Sequence, residues 1–338
     1  MRAVVVERPG VYAVRQVDAP RPGAGEVVVE VRACGLCGTD VHIAHGEFPP
    51  APYPLIPGHE FAGVVVECGA GVDAPALGAR VAVDPTLACG RCGPCRQGHR
   101  NLCAHWGAIG DTVAGGLAER VAVPAANCHP VPDGLGWGEA ALIEPLACAV
   151  WGAMRARPQI GATVLVAGGG TMGLLLGQVF RRAGASRVAI LEPHPDRRQL
   201  ALDVGMDAAL APDDADGLAR AAGEPGGRFE LVADATGRPE VVRAALDRVR
   251  PGGTFLVFGV APPEAAVPVR PYDVYARDLT IVGSMAINGT FPAAVRLAPS
   301  LALGPLIAPA QDLGAYADAL AAFGRGGRPK QQLLPTMA

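Results

Sequence analysis

Lysine is almost missing from this chain: of 29 basic residues only Lys330 is a lysine, and the rest are arginines. Such one-sided use reads as the bias of a GC-rich genome, so Lys330 is given no chemical role. An excess of either charge is missing too. The 29 basic and 32 acidic residues leave a net charge of −3, which offers no electrostatic footprint for nucleic acid or a membrane surface. No apolar run reaches the roughly 20 residues that a membrane span needs. The opening "MRAVVVERPG" lacks the apolar stretch and cleavage site of a secretory signal and reads as a strand. Aromatic residues are scarce, at 5%, yet half of the 338 residues are apolar, which is ample for one large core or two ordinary ones. The expected setting is the cytoplasm. There, nine cysteines argue for metal ligation or burial rather than disulfides.

What is present falls into two patterns. The first third holds short alternating or β-branched runs, "RAVVVE", "VYAVRQV", "EVVVEVRA", "FAGVVVE" and "ARVAV", punctuated by Gly and Pro. They predict a mostly antiparallel β domain. A helix is expected over 139–156. Strands and helices then alternate: "TVLVAGG", a helix over 171–184, "RVAILE", a helix over 195–205, "FELVAD", a helix over 238–249, then "GGTFLVFG" and "LTIVGSM". Apolar strands alternating with helices predict a parallel, doubly wound sheet, hence an α/β fold. Further helices are expected over 290–303 and 315–324, and "KQQLLP" reads as a last strand returning to the first domain. The predicted division is 1–147 completed by 288–338, and 148–287.

"ACGRCGPCRQGHRNLC" places Cys89, Cys92, Cys95 and Cys103 in a C-x2-C-x2-C-x7-C run. Glycines and Pro94 allow turns tight enough to bring four sulfurs around one ion. Four thiolates suit a closed, structural zinc site; an iron–sulfur cluster is the competing reading. His99 and His105 are expected to be exposed polar residues.

"LVAGGGTMG" follows a strand and opens a helix, with Gly168, Gly170 and Gly173 forming G-x-G-x-x-G. That arrangement permits a tight turn, close approach of a pyrophosphate and its placement on the helix N-terminus. Thr171 and Met172 complete the turn. Glu192 ends the next strand, where a carboxylate accepts hydrogen bonds from a ribose diol and repels a 2′-phosphate. NAD is therefore expected rather than NADP. Arg197 and Arg198 either reach a phosphate, stack on adenine or form a solvated face.

"CGLCGTDVH" supplies Cys37, Thr39, Asp40 and His42; "IPGHEFAG" supplies His59 and Glu60. A catalytic zinc wants three protein ligands and one open position. "ALIEPLACAVWG" places Glu144 among apolar residues, where an uncompensated carboxylate costs several kcal/mol. It is either a metal-site residue or a helix-terminal carboxylate beside Pro145.

In this order the GHE motif, the Cys-Gly-Thr-Asp-x-His motif, the four-cysteine lobe and the glycine motif resemble the zinc-dependent medium-chain dehydrogenase/reductase (alcohol dehydrogenase) family. The sorbitol, threonine and polyol dehydrogenase branch is most similar, and the resemblance spans essentially the whole chain. It implies a GroES-like catalytic domain and a Rossmann domain for the dinucleotide. It also implies two zinc ions per chain, the catalytic one held by Cys37, His59 and either Glu60 or Glu144. Charge balance argues that one of these carboxylates ligates while the other hydrogen-bonds the water on the ion. Thr39 and His42 match a proton relay, and Asp40 is expected to orient His59 or to cap a turn.

Thr236 in "DATG", Gly259 in "VFG" and Met285 in "GSMAI" would lie near the nicotinamide. The implied reaction is hydride transfer between a secondary alcohol (polyol, cyclitol or related) and NAD, giving the ketone, in a homodimer or homotetramer. Threonine or another amino alcohol is the alternative substrate, and a non-catalytic nucleotide-binding scaffold the alternative role. The arginine that polyol enzymes carry after the last nucleotide-domain strand is replaced here by Asn288 and Gly289. Phe48 and Ile287 are expected to line a more apolar pocket, where Asn288 could hold a hydroxyl.

Overall fold

The strand Glu26–Gly35 organises the first part of the protein because its valines bury almost completely. Each fully buried valine is worth about 1.5 kcal/mol or more. In this computed structural model, which describes residues 1–323 and 330–336, the chain forms two units, Met1–Ala147 with Ile287–Ala338, and Cys148–Ala286.

In the first unit, Glu26–Gly35 runs antiparallel to Glu60–Cys68, from Val27 opposite Cys68 to Gly35 opposite Glu60. Arg120–Pro124 and Gln332–Leu334 also pair with it. The last of these is the return strand anticipated from "KQQLLP". Arg80–Val83 and Cys128–Pro130 continue the sheet beyond Glu60–Cys68. Phe61, Val65, Val81, Leu117 and Val121 fill the core beneath.

The second unit is the parallel, doubly wound sheet. Its strand order is Ala208–Leu210, Arg187–Leu191, Thr163–Ala167, Phe229–Asp234, Val249–Val257, Thr280–Gly283, and every pairing is parallel. Parallel neighbours need crossovers, supplied by helices that include Thr171–Arg182, Pro195–Asp203 and Pro239–Leu246. The order reverses between Thr163–Ala167 and Phe229–Asp234. Ligands of such sheets bind outside the carboxyl ends of the strands at this reversal.

Some expected elements differ. The helix anticipated over 139–156 is two, Trp137–Ala141 and Ile143–Ala156. Pro145 has no N–H to offer the carbonyl of Ala141, so the ladder parts just before it. The helix expected over 290–303 stops at Leu297 and passes into a 3-10 segment, Ala298–Ser300, where Pro299 has no N–H to offer the carbonyl of Val295. The helix expected over 315–324 is Tyr316–Ala322, and residue 324 lies outside the described residues. The helices Gly38–His45 and Ala215–Ala222 were not anticipated.

Candidate active site

Strand register assembles the buried polar cluster of the first unit. Gly35 faces Glu60 across the sheet, so Cys37, two residues on, meets His59, one residue back. Cys37 sits at the N-terminus of the helix Gly38–His45. Ligand atoms of Cys37, His59 and Glu60 lie within 4.8 Å of one another, with His59 and Glu60 buried. Donors sharing a zinc ion sit roughly 3.3–3.7 Å apart, so only a small contraction is needed. A thiolate, an imidazole and a carboxylate are the donor types zinc takes. The set fits the ion.

Glu144 stands in the first turn of Ile143–Ala156 and is buried. Burial pushes its carboxyl up to about 8, with the charge of Glu60 adding to the rise and that of His59 opposing it. The apolar setting noted in the sequence is thus real. Glu144 lies within electrostatic reach of the cluster but outside the trio of converging donors.

The residue that turns His59 is Asp111 rather than Asp40. His59 Nδ1 lies 3.0 Å from Asp111 Oδ1. The two atoms form an ion-pair contact and not a hydrogen bond, so charge and proximity hold the pair. With Nδ1 facing Asp111, Nε2 is left for the ion. Burial would lower the pKa of this imidazole, but Asp111 and Cys37 outweigh it and raise it. Asp111 arrives because the loop after Gly107 is pinned to the GHE turn, with Gly116 N donating to Gly58 O at 2.7 Å and Leu117 N to Pro57 O at 3.0 Å.

Asp40 instead caps its own helix. Its Oδ2 accepts from Cys37 N at 2.8 Å, and burial raises its carboxyl to about 6. Thr39 Oγ1 is 3.9 Å from Cys37 Sγ. His42 is exposed, with Nδ1 2.7 Å from Glu47 Oε2.

Lys330, set aside in the sequence as compositional, enters this cluster. It is 4% exposed and pairs with Glu60.

The four lobe sulfurs of Cys89, Cys92, Cys95 and Cys103 also lie within 4.8 Å of one another. Cys92 Sγ and Cys103 Sγ are 3.9 Å apart. A disulfide needs about 2.05 Å; four sulfurs on one zinc ion sit about 3.8 Å apart. The lobe therefore has the dimensions of a four-thiolate site. The backbone N–H groups of Ala104 and Cys95 help lower the Cys92 thiol to about 6. His99 and His105 are exposed. Asn288, considered for a substrate hydroxyl, accepts from Arg100 N at 2.9 Å and so ties down the lobe. Phe48 packs on Val6, Ile43 and Leu55, and Ile287 is buried.

In the second unit Gly168 and Gly170 form the turn between Thr163–Ala167 and the helix Thr171–Arg182, and Gly173 lies in the first turn of that helix. A Cβ on Gly173 would collide with Gly168 O, whereas one on Gly170 would meet nothing within 4 Å. The turn is close-packed behind and open in front, as a pyrophosphate cradle must be. Glu192 Oε2 accepts from Gly169 N at 2.9 Å and Oε1 from His194 N at 3.0 Å, so the acid lies against the turn. Arg197 is half-buried, and Arg198 donates to the carbonyls of Glu192 and Pro193. Buried Asp234 holds the next turn by accepting from Thr236 Oγ1 at 2.6 Å and Gly237 N at 3.0 Å. Gly259 N donates to Asp234 O at 2.8 Å. Thr171, Thr236 and Gly259 thus gather at the reversal point, while Met285 follows the edge strand and is 45% exposed.

Residues 23–133 match the alcohol dehydrogenase GroES-like domain and residues 171–300 the zinc-binding dehydrogenase domain. The chain is 37% identical to D-altritol 5-dehydrogenase of Agrobacterium fabrum over 300 residues, covering 88% of this chain and 84% of that one. It is 36% identical to D-arabinitol dehydrogenase 1 of Uromyces fabae, covering 87% and 85%. A solved zinc-binding dehydrogenase of Sinorhizobium meliloti, bound to NADP, superposes with a TM-score of 0.94 at 36% identity over 99% of each chain. With two family domains in sequence and near-full-length relatives, the chain belongs to the zinc-dependent medium-chain alcohol dehydrogenase family, in its polyol and threonine dehydrogenase branch.

Proposed function

We propose that this zinc-dependent alcohol dehydrogenase oxidises a secondary alcohol of the polyol class to the ketone, with NAD as hydride acceptor. The observation that carries the reading is the convergence of Cys37, His59 and Glu60 within 4.8 Å. In the same chain the glycine turn carries an acid against it. Zinc would supply Lewis acidity that makes an alcohol hydroxyl acidic near neutral pH, and the nicotinamide would accept the hydride.

The protein's own residues do the rest. Cys37 and His59 hold the ion, with Glu60 or Glu144 as third donor. Asp111 keeps His59 in one tautomer. Thr39, beside Cys37, takes the hydroxyl proton, and His42 with Glu47 passes it to solvent. Gly168, Gly170, Thr171, Met172 and Gly173 cradle the pyrophosphate. Glu192 accepts from the ribose diol and disfavours a 2′-phosphate, which is the ground for NAD. Arg197 flanks the adenosine, and Thr236, Gly259 and Met285 flank the nicotinamide.

A second zinc in the lobe is structural. Thiols gathered at metal sites suit a reducing compartment and hence the cytoplasm. Among the described residues Thr280–Gly283 is an edge strand that pairs on one side with Val249–Val257, and with Ile281 42% exposed it favours a homodimer or homotetramer.

The test is a screen for NADH absorbance with polyols, cyclitols, amino alcohols and simple secondary alcohols, beside metal analysis. Two zinc ions per chain and turnover of a polyol support the reading. Absence of zinc and of turnover with every alcohol would overturn it.

A further inference from the structure

The helices Gly38–His45 and Tyr316–Ala322 share one core in the first unit. Val41 and Ala44 of the first pack into it, as do Tyr316, Ala319 and Leu320 of the second. A Cβ on Gly38 would stand 4.0 Å from the ring of Phe323, so the end of the second helix reaches the start of the first. That start is the turn that carries Cys37 and Asp40.

Two polar side chains are enclosed here: Asp40 is 0% exposed and Tyr316 2%. Asp40 Oδ2 accepts from Cys37 N at 2.8 Å, and Asp40 N donates to Cys37 O at 3.1 Å. The other oxygen, Oδ1, and the Tyr316 hydroxyl are both sealed from solvent, and among the described residues neither has a hydrogen-bond partner. The ring of Tyr12 stands edge-on to that of Tyr316, with centroids 5.4 Å apart, and so fixes the phenol. Burial pushes the phenol pKa up, and the Asp40 charge adds to the rise ahead of Tyr12 and Cys34. The hydroxyl therefore keeps its proton, and the charge that it feels most is that of Asp40.

Buried polar atoms as a rule find a protein partner or an ordered water, because leaving them unpaired destabilises the fold. The needs of these two are complementary. A carboxylate oxygen only accepts, a phenol donates and accepts, and so does a water. One water that takes the phenol proton in a hydrogen bond and donates to Oδ1 satisfies both atoms. A phenylalanine would fill the same core, and the hydroxyl is the one polar side-chain atom that Tyr316–Ala322 sends into it.

We propose that one water molecule is held between the Tyr316 hydroxyl and Asp40 Oδ1, which makes Tyr316 a positioning residue of the candidate metal centre. With Oδ1 anchored, Oδ2 stays on Cys37 N, and the Cys37 sulfur is kept where it meets His59 and Glu60. This consequence for the metal rests on the reading of Cys37 as a zinc ligand; the water site does not.

A crystal structure of the full-length protein should show a water within hydrogen-bond reach of both atoms. Tyr316→Phe then tests the sign, because it keeps the ring and removes the hydroxyl alone. Loss of an unpaired buried hydroxyl raises the melting temperature; loss of one bonded through water to a carboxylate should lower it, by about 2–4 °C. With the lobe zinc retained and Co²⁺ in the second site, Tyr316→Phe should release Co²⁺ to a chelator about tenfold faster. The absorption band of the Cys37 thiolate on Co²⁺ should shift as well. Made in an Asp40→Ala background, the same substitution should change release by less than about threefold, because a link that runs through Asp40 cannot be lost twice. A packing role would act alike in both backgrounds. Absence of the water, a raised melting temperature or equal effects in both backgrounds would overturn the proposal. The first two readouts decide the matter even where Asp40→Ala fails to fold. Failure of the wild type to bind Co²⁺ at this site would instead overturn the zinc reading itself.

Discussion

His59 Nδ1 and Asp111 Oδ1 stand 3.0 Å apart, both side chains being at most 10% exposed. A buried carboxylate facing one ring nitrogen fixes the tautomer and raises the basicity of the other. Asp111→Asn keeps the shape and removes the charge. Affinity for the metal should fall about 10- to 100-fold, as measured by chelator competition, with NADH binding unchanged. A variant with wild-type metal affinity would show that Asp111 is packing alone.

Cys37 is the one sulfur in the converging trio. Cys37→Ser should leave one zinc per chain by elemental analysis and lower turnover by about 1000-fold or more, because the Lewis acid is lost. NADH binding, followed by fluorescence, should be retained.

The lobe should behave differently, because four thiolates would leave a zinc ion there no open position. Cys92→Ser should cost several kcal/mol of stability, the scale on which structural zinc contributes to folding. The readout is a lowered melting temperature together with loss of the other zinc. Because Asn288 takes the Arg100 N–H, loosening of the lobe should also raise hydrogen exchange around residue 288.

Glu192 shares its two oxygens between Gly169 N and His194 N. Glu192→Ala should weaken NAD about tenfold while leaving NADP equal or better, by analogy with the general role of an acid at this strand end. Dissociation constants for the two cofactors check it, and an unchanged ratio refutes it.

Glu144 gives the metal-free protein a pH dependence. Burial raises its carboxyl from the ordinary 4.5 to about 8. Between those values the folded chain holds a proton that the unfolded chain has released. The stabilisation is full below pH 4.5 and is lost as the pH climbs through 8. Denaturant melts of the apo-protein should show stability declining over this window, and Glu144→Gln should make the decline shallower, the part that remains belonging to Asp40 and His59, which are also raised. Added zinc should oppose it, because the ion takes a deprotonated ligand.

Much of this was legible because the signals are local. The lobe spacing and the glycine turn each depend on residues within one short stretch, and the strand–helix alternation is a periodic pattern. The GHE and Cys-Gly-Thr-Asp motifs mark the residues that converge, Cys37, His59 and Glu60, for the same reason. Asp111 and Lys330 were not legible, since each arrives through tertiary packing. Asp111 rides on a loop stitched to the Pro57–Gly58 turn, and Lys330 meets Glu60 from 270 residues further along the chain. Nothing in "AIGDTV" or "GRPKQQ" announces such contacts. The hydrogen bond of Asn288 was not legible for a related reason: its partner is the Arg100 backbone N–H, which no sequence pattern marks.

That separation sets an order of events during synthesis. At about 5–20 residues per second, the ribosome makes Lys330 roughly 15–50 s after Glu60. Until then the carboxylate has no ammonium to meet, and the sheet around Gly35 still lacks the strand that ends at Leu334. The nucleotide-binding unit, residues 148–286, is translated within that interval. The inserted unit can therefore mature first, and the metal centre is completed only when the chain comes back to it.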